Sequence, residues 1–116
     1  MNCGRFDPGV ATIIRNADAL KQELTELGAH AGKLIMHDQR RWGSTGFSGT
    51  RHELVYAFDG SEAVAHGEAL IAHLDDHEFT IPGQLVADAT VSAANHRLDP
   101  PRLEITLYLL LLDEED

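Results

Sequence analysis

The chain has 116 residues, enough for one domain with a single core, and its 43% hydrophobic content excludes wholesale disorder. The formal net charge is −10, with 19 acidic and 9 basic residues, which excludes general adhesion to nucleic acid through a basic surface. One cysteine, Cys3, excludes an internal disulfide framework, and neither an apolar targeting segment nor a stretch long enough to cross a membrane is visible. We expect one domain over residues 1–116, with flexible tails at 1–7 and 113–116.

The first predicted element is a helix that begins at Asp7-Pro8, with Asp7 as N-cap and Pro8 at the first helical position. Gly28 is its predicted stop. An alternative makes VATIIR (10–15) a β-branched strand, with Asn16 capping a shorter helix. The continuous apolar face at three- and four-residue spacing favours the single helix. Its members are Val10, Ile13, Ile14, Ala17, Leu20, Leu24 and Leu27.

Two strands follow, KLIMHD (33–38) and HELVYAF (52–58), joined by a predicted long loop over residues 39–51. Asp59-Gly60 is typical of a turn, and Ser61 is the predicted cap of a second helix that ends at about Asp76. The predicted inward face of this helix consists of Val64, Gly67, Leu70, Ile71 and Leu74.

The last third of the chain predicts a second hairpin. QLVADATVSAA (84–94) alternates Leu85, Ala87, Ala89 and Val91 with polar residues, DPPR forms a turn, and RLEITLYLLLL (102–112) is the final strand. Two hairpins, each preceded by a helix, predict an α+β fold of order αββαββ. Its four-stranded antiparallel sheet carries both helices on one face.

The final strand presents apolar residues to both sides of this sheet. Leu103, Ile105, Leu107, Leu109 and Leu111 can meet the helices, whereas Tyr108, Leu110 and Leu112 point the other way. Either Val55 or Tyr56 joins the second group, depending on register. An apolar sheet face without helices is typical of an interface, so we predict that Tyr108, Leu110 and Leu112 form a self-association face. The alternative is that the N-terminal segment covers it.

The predicted loop over residues 39–51 has an unusual composition of glycines, hydroxyl residues, aromatics and arginines. It is not a phosphate-binding Walker loop, because the lysine is missing and a strand follows. Trp and Arg are enriched at interfaces, so we predict a partner-binding loop, against the alternative of an ordinary hairpin loop. Its predicted contact residues are Arg40, Arg41, Trp42, Phe47 and Arg51.

The histidines offer two candidate metal or catalytic sites, neither of which we favour. His66, His73 and His77 form a stripe on the second helix, and His73 and His77 could share a zinc ion. A third ligand is missing, and Leu74 stands where the zincin motif has Glu, so a solvated helix edge is the favoured interpretation.

The second histidine set lies at the strand ends of the first predicted hairpin. His37-Asp38 and His52-Glu53 could converge there as an acid–base pair or a metal site, but satisfied surface polar groups are the commoner case. Cys3 is a candidate nucleophile by residue type only. We therefore predict no catalytic residue, metal or cofactor.

From Trp42 onward the order of short features resembles a known family. A WG segment leads into a Gly-rich loop and the strand start GTRHELVYAF, then the alanine-rich helix GEALIAHLDDHEFTIPG, the LV strand start, the hairpin HRLDPP and a final strand that runs into EE. This resembles the tail terminator, or tail-completion, family of long-tailed phages and gene transfer agents. The resemblance covers residues 42–115. A Tyr/Pro-containing strand that usually precedes the WG segment in that family is not evident in this sequence.

The resemblance implies a non-enzymatic structural protein that assembles as a ring, typically of six copies. Its partners would be itself, the tail tube protein and the head connector proteins, and DNA would pass through without specific binding. It would reside in the host cytoplasm and then in the virion neck, away from membranes. Two alternatives remain. One is a small metal-dependent hydrolase using His73/His77 or His37/Asp38/His52, and the other is a small acidic inhibitor or immunity-type protein.

Overall fold

The computed structural model describes residues 8–114, with side chains from residue 17 onward. The elements are α1 (Pro8–Leu27), β1 (Lys33–Ser44), β2 (Phe47–Asp59), α2 (Ser61–His73), β3 (Gln84–Leu98) and β4 (Pro101–Asp113). All strand pairs are antiparallel, in the spatial order β1-β2-β4-β3. The predicted α+β class and the order αββαββ are confirmed. No helix in this part of the chain is long and apolar enough to span a membrane.

Residues 10–15 belong to the helix α1, so the alternative that made them a strand is wrong. Asp7, the predicted cap, lies outside the described residues. Gly28 follows the helix as predicted, but the left-handed backbone that ends it is at Ala29 and His30, with φ of 58° and 60°. Gly28 is instead buried against the ring of Phe58, which a Cβ on Gly28 would meet at 3.2 Å.

Phe58 fixes how closely the helices approach the sheet. Its ring is fully buried, and a Cβ added to Gly32 or Gly67 would come within 2.5 and 2.9 Å of it. Gly67 was predicted to face inward, and the other predicted inward residues of α2 agree with the structure. Val64, Leu70 and Leu74 are buried, and Ile71 packs partly buried against the core. Each buried leucine contributes about 1.5–3 kcal/mol through removal of apolar surface from water.

Helix α2 begins one residue earlier than predicted. Gly60 is its N-cap and makes no side-chain hydrogen bond, so the prediction that Ser61 caps the helix is wrong. The Gly60 N–H donates instead to the Pro101 carbonyl at 2.9 Å, which ties the helix start to β4. The helix ends at His73, and a single 3-10 turn, Leu74–Asp76, continues to the predicted end.

All four strands are longer than the sequence predicts. Asp113, which we expected to begin a flexible tail, is the last residue of β4, and the Glu114 N–H donates to the Gly83 carbonyl at 3.0 Å. Residues 1–7, which include Cys3, and residues 115–116 lie outside the described part of the chain.

The first residues of β3 do not follow the predicted alternation of apolar and polar residues between the two faces. Register shifts occur between Val86 and Asp88 and between Val91 and Ala93, and a shift of one residue exchanges the two faces of a strand. Leu85 is consequently 60% exposed, whereas Val86 packs against the core.

Candidate functional site: the uncovered face of the sheet

One face of the sheet packs against the helices and the other does not. Alternate residues of β4 are buried against the helices, from Leu103 through Leu111, at 0–3% exposure. Residues directly opposite each other on paired strands share a face, so the strand register assigns the remaining side chains to the other side. We call this side the uncovered face. Its residues away from the β3–β4 tip are Met36, Asp38, Arg40, Trp42, Phe47, Arg51, Glu53, Val55, Leu85, Asp88, Thr90, Ala93, Thr106, Tyr108, Leu110 and Leu112, and towards the tip it continues through Ala57, Asp59, Asn95, Arg97, Arg102 and Glu104.

The three residues of the predicted self-association face lie on this side. Tyr108, Leu110 and Leu112 are partly exposed, in contrast to their fully buried neighbours on β4. The register also decides between the two candidates on β2. Val55 pairs with Thr106 and belongs to the uncovered face. Tyr56 is 1% exposed, and its hydroxyl donates to the Lys21 carbonyl of α1 at 3.5 Å.

The prediction of a long loop over residues 39–51 is wrong. Strands β1 and β2 continue to Ser44 and from Phe47, leaving a tight turn at Thr45-Gly46 in which Gly46 has φ of 85°. Glycine takes this left-handed conformation without steric cost, which permits so short a turn. The glycines that indicated a loop serve the hairpin instead, so the side chains along it have orientations set by the strand pleat.

As a result, the two sites predicted separately merge into one surface. Arg40 and Arg51 are paired across the strands, and Arg51 is also opposite Leu110. Trp42 and Leu112 are both opposite Gly49. Of the five predicted partner-binding residues, four therefore share the uncovered face with the self-association residues, and Arg41 alone points to the helix side. We call the apolar part of this surface the apolar patch: Trp42, Phe47, Leu85, Leu110 and Leu112.

Charged groups border the apolar patch. The guanidinium of Arg51 stacks over the Trp42 ring at 5.8 Å from its centroid, and Arg51 pairs with no carboxylate in the described part of the chain. The neighbouring Arg40 is 3.3 Å from Asp38. A cavity of about 300 Å³ lies between these groups and Tyr108. The surface thus combines aromatic, aliphatic and arginine side chains, the composition enriched at protein interfaces.

A carboxylate on the helix side holds the end of the hairpin in place. Asp113 accepts hydrogen bonds from Gln84 Nε2 at 2.8 Å, from Ser48 Oγ at 3.0 Å and from Arg41 Nη2 at 3.3 Å. Burial alone would raise the pKa of Asp113, but these donors outweigh it and lower the pKa below its ordinary value. Because the four residues come from four strands, the cluster orients the hairpin that carries Trp42 and Phe47.

His37 and His52 do converge across the hairpin, but on the helix side. His37 Nε2 and His52 Nδ1 are 2.9 Å apart and the rings are stacked, with centroids separated by 5.2 Å. His52 is 2% exposed, and burial followed by the proximity of His37 lowers its pKa to about 4. Burial, and then Lys21, also lowers the pKa of His37. Both rings are therefore neutral at pH 7, and one donates its N–H to the other.

The predicted partners of this histidine pair point away from it. Asp38 is opposite Glu53 on the uncovered face, because successive strand residues alternate sides. The combined His37/Asp38/His52 site is thus not assembled, which corrects that alternative. A pair of hydrogen-bonded neutral histidines beneath α1 stabilises packing between the helix and the hairpin.

His73 and His77 are not adjacent on one helix face either. His73 is exposed at the end of α2, and the 3-10 turn separates it from His77. His77 Nε2 lies 3.0 Å from Glu23 Oε1 of α1, and its ring stands edge-on to Phe79. Glu23 also accepts the Thr80 N–H at 3.0 Å. This contact ties α1 to the segment before β3. Among residues whose side chains are described, no group of three His, Cys, Asp or Glu residues is placed to hold a metal ion.

Sequence reasoning missed Met36, Leu85 and Asp88 as members of the uncovered face. Their positions depend on bulges in β1 and β3, and the sequence carries no local signal for those bulges. No family model, curated protein or solved structure matches this chain.

Proposed function

We propose that this chain is a non-enzymatic structural subunit that assembles through its uncovered face into a closed ring. The ring terminates the tube of a phage-type tail and joins it to the head connector. The observation that carries the assembly step is the apolar patch, and the resemblance over residues 42–115 supports the place in a tail.

The outer side of β4 is the strongest support for assembly. An antiparallel sheet with one solvated face normally alternates apolar residues inside with polar residues outside. Here Tyr108, Leu110 and Leu112 replace the polar residues on the outside, and Phe47 and Leu85 extend the apolar surface at 62% and 60% exposure. Burying this surface against another copy removes it from water, which is favourable by roughly 25 cal/mol per Å².

The net charge of −10 fits a ring through which DNA passes. An acidic lumen repels phosphates, so the duplex slides without adhering to the wall. The partners that this function requires are the tail tube protein and the connector proteins.

The assembly step is tested by native mass spectrometry and light scattering of the full chain at increasing concentration. We expect a single closed oligomer for the natural sequence, with six as the expected number. Leu110→Asp places a charge within the apolar patch and should give a folded monomer, judged by circular dichroism. Ala65→Asp adds the same charge on the exposed side of α2 and should leave the oligomer intact. A natural chain that stays monomeric at high concentration would overturn the proposal.

The place in a tail is tested separately by counting copies in purified particles with quantitative mass spectrometry. We expect a few copies per particle, equal to the ring number, located at the neck by gold labelling. Absence of the chain from tailed particles of its source would contradict the tail assignment even if the ring forms.

A further inference from the structure

A ring requires two different surfaces on every subunit. Contacts in which the same patch meets itself close after two copies, whereas rings arise from a contact between unlike surfaces. The uncovered face supplies one of them. If the proposed function holds, a second surface of the same chain must fit the apolar patch, and the following inference rests on that function.

Two obvious candidates for the second surface are unsuitable. Edge strand β3 carries register shifts at two places, and edge strand β1 carries one at Leu34/Met36 together with the exposed charged residues Arg40 and Arg41. Bulges and charged side chains keep an edge strand from pairing with another chain. The outward side of the helices carries mainly acidic residues, other polar residues and alanines, which do not complement an apolar patch. Its charged and amide residues include Asp18, Gln22, Glu26, Glu62 and Glu68.

The tip of the β3–β4 hairpin differs from both. Residues 92–100 are all exposed. Leu98 is 78% exposed, more than any other large hydrophobic side chain in the described part of the chain. The register pairs Leu98 with Pro101 at the end of the ladder, so the leucine stands on a narrow projection.

This tip is preorganised for a contact. Arg97 Nε donates to the Pro100 carbonyl at 3.1 Å, across the turn itself. At the base of the tip, Arg102 Nη1 donates to both oxygens of Asp59 at 2.8 and 2.9 Å, and its Nη2 donates to Glu104 at 3.3 Å. A projection held in one conformation loses little entropy when a partner binds it.

The tip of one copy cannot reach the apolar patch of the same copy. Leu85 and Leu98 lie at opposite ends of β3, which at ~3.3 Å per residue separates them by about 40 Å. An occupant of the patch that carries Leu98 must therefore belong to a second copy.

Charge supports the same pairing. Asp99 follows Leu98 directly at the tip, and Arg51 borders the apolar patch without a carboxylate partner among the described residues. We propose that the β3–β4 tip of each copy docks on the uncovered face of the next, with Leu98 against Leu110 and Leu112 and Asp99 facing Arg51.

Two complementary defects test this contact. Leu98→Asp replaces the apolar residue of the tip and leaves the apolar patch intact. Leu110→Asp puts a charge in the apolar patch and leaves the tip intact. Each variant alone should therefore be monomeric. Mixed in equal amounts, they retain one intact contact per pair and should form a one-to-one heterodimer and nothing larger, measured by native mass spectrometry with one variant isotopically labelled. His96→Asp adds a charge on the opposite face of the same hairpin, where the exposed His96 is paired with Leu103, and should still form the ring. All three variants are checked for folding by circular dichroism.

The outcomes separate this inference from the proposed function. A monomeric natural chain overturns the proposed function itself. A Leu98→Asp variant that still forms the natural oligomer, or that forms a dimer through paired uncovered faces, overturns the docking of the tip and leaves self-assembly standing. If the two variants are folded but remain monomers when mixed, the docking of the tip is also overturned.

A charge exchange between Asp99 and Arg51 gives a second test. Asp99→Lys and Arg51→Glu should each weaken assembly a few-fold, and the double variant should regain it.

Discussion

Leu107 and Leu109 are fully buried beneath the helices, whereas Leu110 and Leu112, the same residue type on the same strand, remain partly exposed. The strand pleat alone produces this difference, because successive side chains point to opposite faces. The helix-covered face holds the fold of a single copy together. The uncovered face mixes apolar and charged side chains, and no other part of the described chain packs on it, so its apolar patch is the basis of the proposed association.

The largest expected effect contrasts these two faces directly. Leu107→Ala should lower the free energy of unfolding by about 2–5 kcal/mol, because it opens a cavity in the core. Leu110→Ala should cost about 1 kcal/mol or less when measured at a concentration at which the chain is monomeric. Urea denaturation followed by circular dichroism measures both. If the two substitutions lowered the free energy of unfolding equally, Leu110 would be as buried as Leu107 within a single copy, and the difference between the two faces would be contradicted.

The next effect concerns the buried histidine pair. His52 has a pKa of about 4 in the folded chain, below the ordinary 6.5, so the unfolded chain binds more protons between these values. The contribution of neutral His52 to the free energy of unfolding is fully present above pH 6.5. It falls by about 3 kcal/mol as the pH drops to 4, and then levels off.

Urea denaturation at a series of pH values measures this dependence. His52→Asn should flatten the slope between pH 6.5 and 4, although His37 retains part of it. His73→Asn changes an exposed histidine at the end of α2 and should leave the slope as in the natural chain. If the free energy of unfolding of His52→Asn depends on pH as steeply as that of the natural chain, buried His52 is not the cause of the pH dependence.

The smallest expected effect tests the backbone of the hairpin that carries the arginines. A Cβ on Gly49 would overlap the Leu111 carbonyl of β4, so Gly49→Ala should cost about 1–3 kcal/mol through strain between paired strands. Gly43→Ala places its Cβ 3.7 Å from the Phe47 carbonyl, an ordinary contact, and should be close to neutral. Thermal unfolding of the two variants gives the comparison. A neutral Gly49→Ala would mean that the strands separate there without cost.

Much of the fold was predictable because its signals are local. The three- and four-residue spacing of Leu20, Leu24 and Leu27 predicts α1, and the alternation from Leu103 to Leu111 predicts the buried side of β4. The turn at Asp99-Pro100 follows from its residue types. Each of these depends on a few neighbouring residues.

The two failed predictions that bear on the site depended on pairing between distant parts of the chain. Residues 39–51 read as a loop because glycines and hydroxyl residues are typical of loops. They form strand because β4 provides a partner for β2 as far as Gly49, and Gly46 permits a tight turn. The alternation placed Leu85 on the same face as Ala89 and Val91, and a bulge near Ala87 puts it on the opposite face.

By itself, the sequence determined the class and order of the elements and the apolar character of both sides of β4, because side-chain periodicity follows from the backbone geometry of a single element. Only the tertiary structure decided that Trp42, Arg51 and Leu110 share one surface, that His37 meets His52, and that Asp38 does not. Those relations depend on strand register and on bulges, which are set by the packing of residues far apart in the chain.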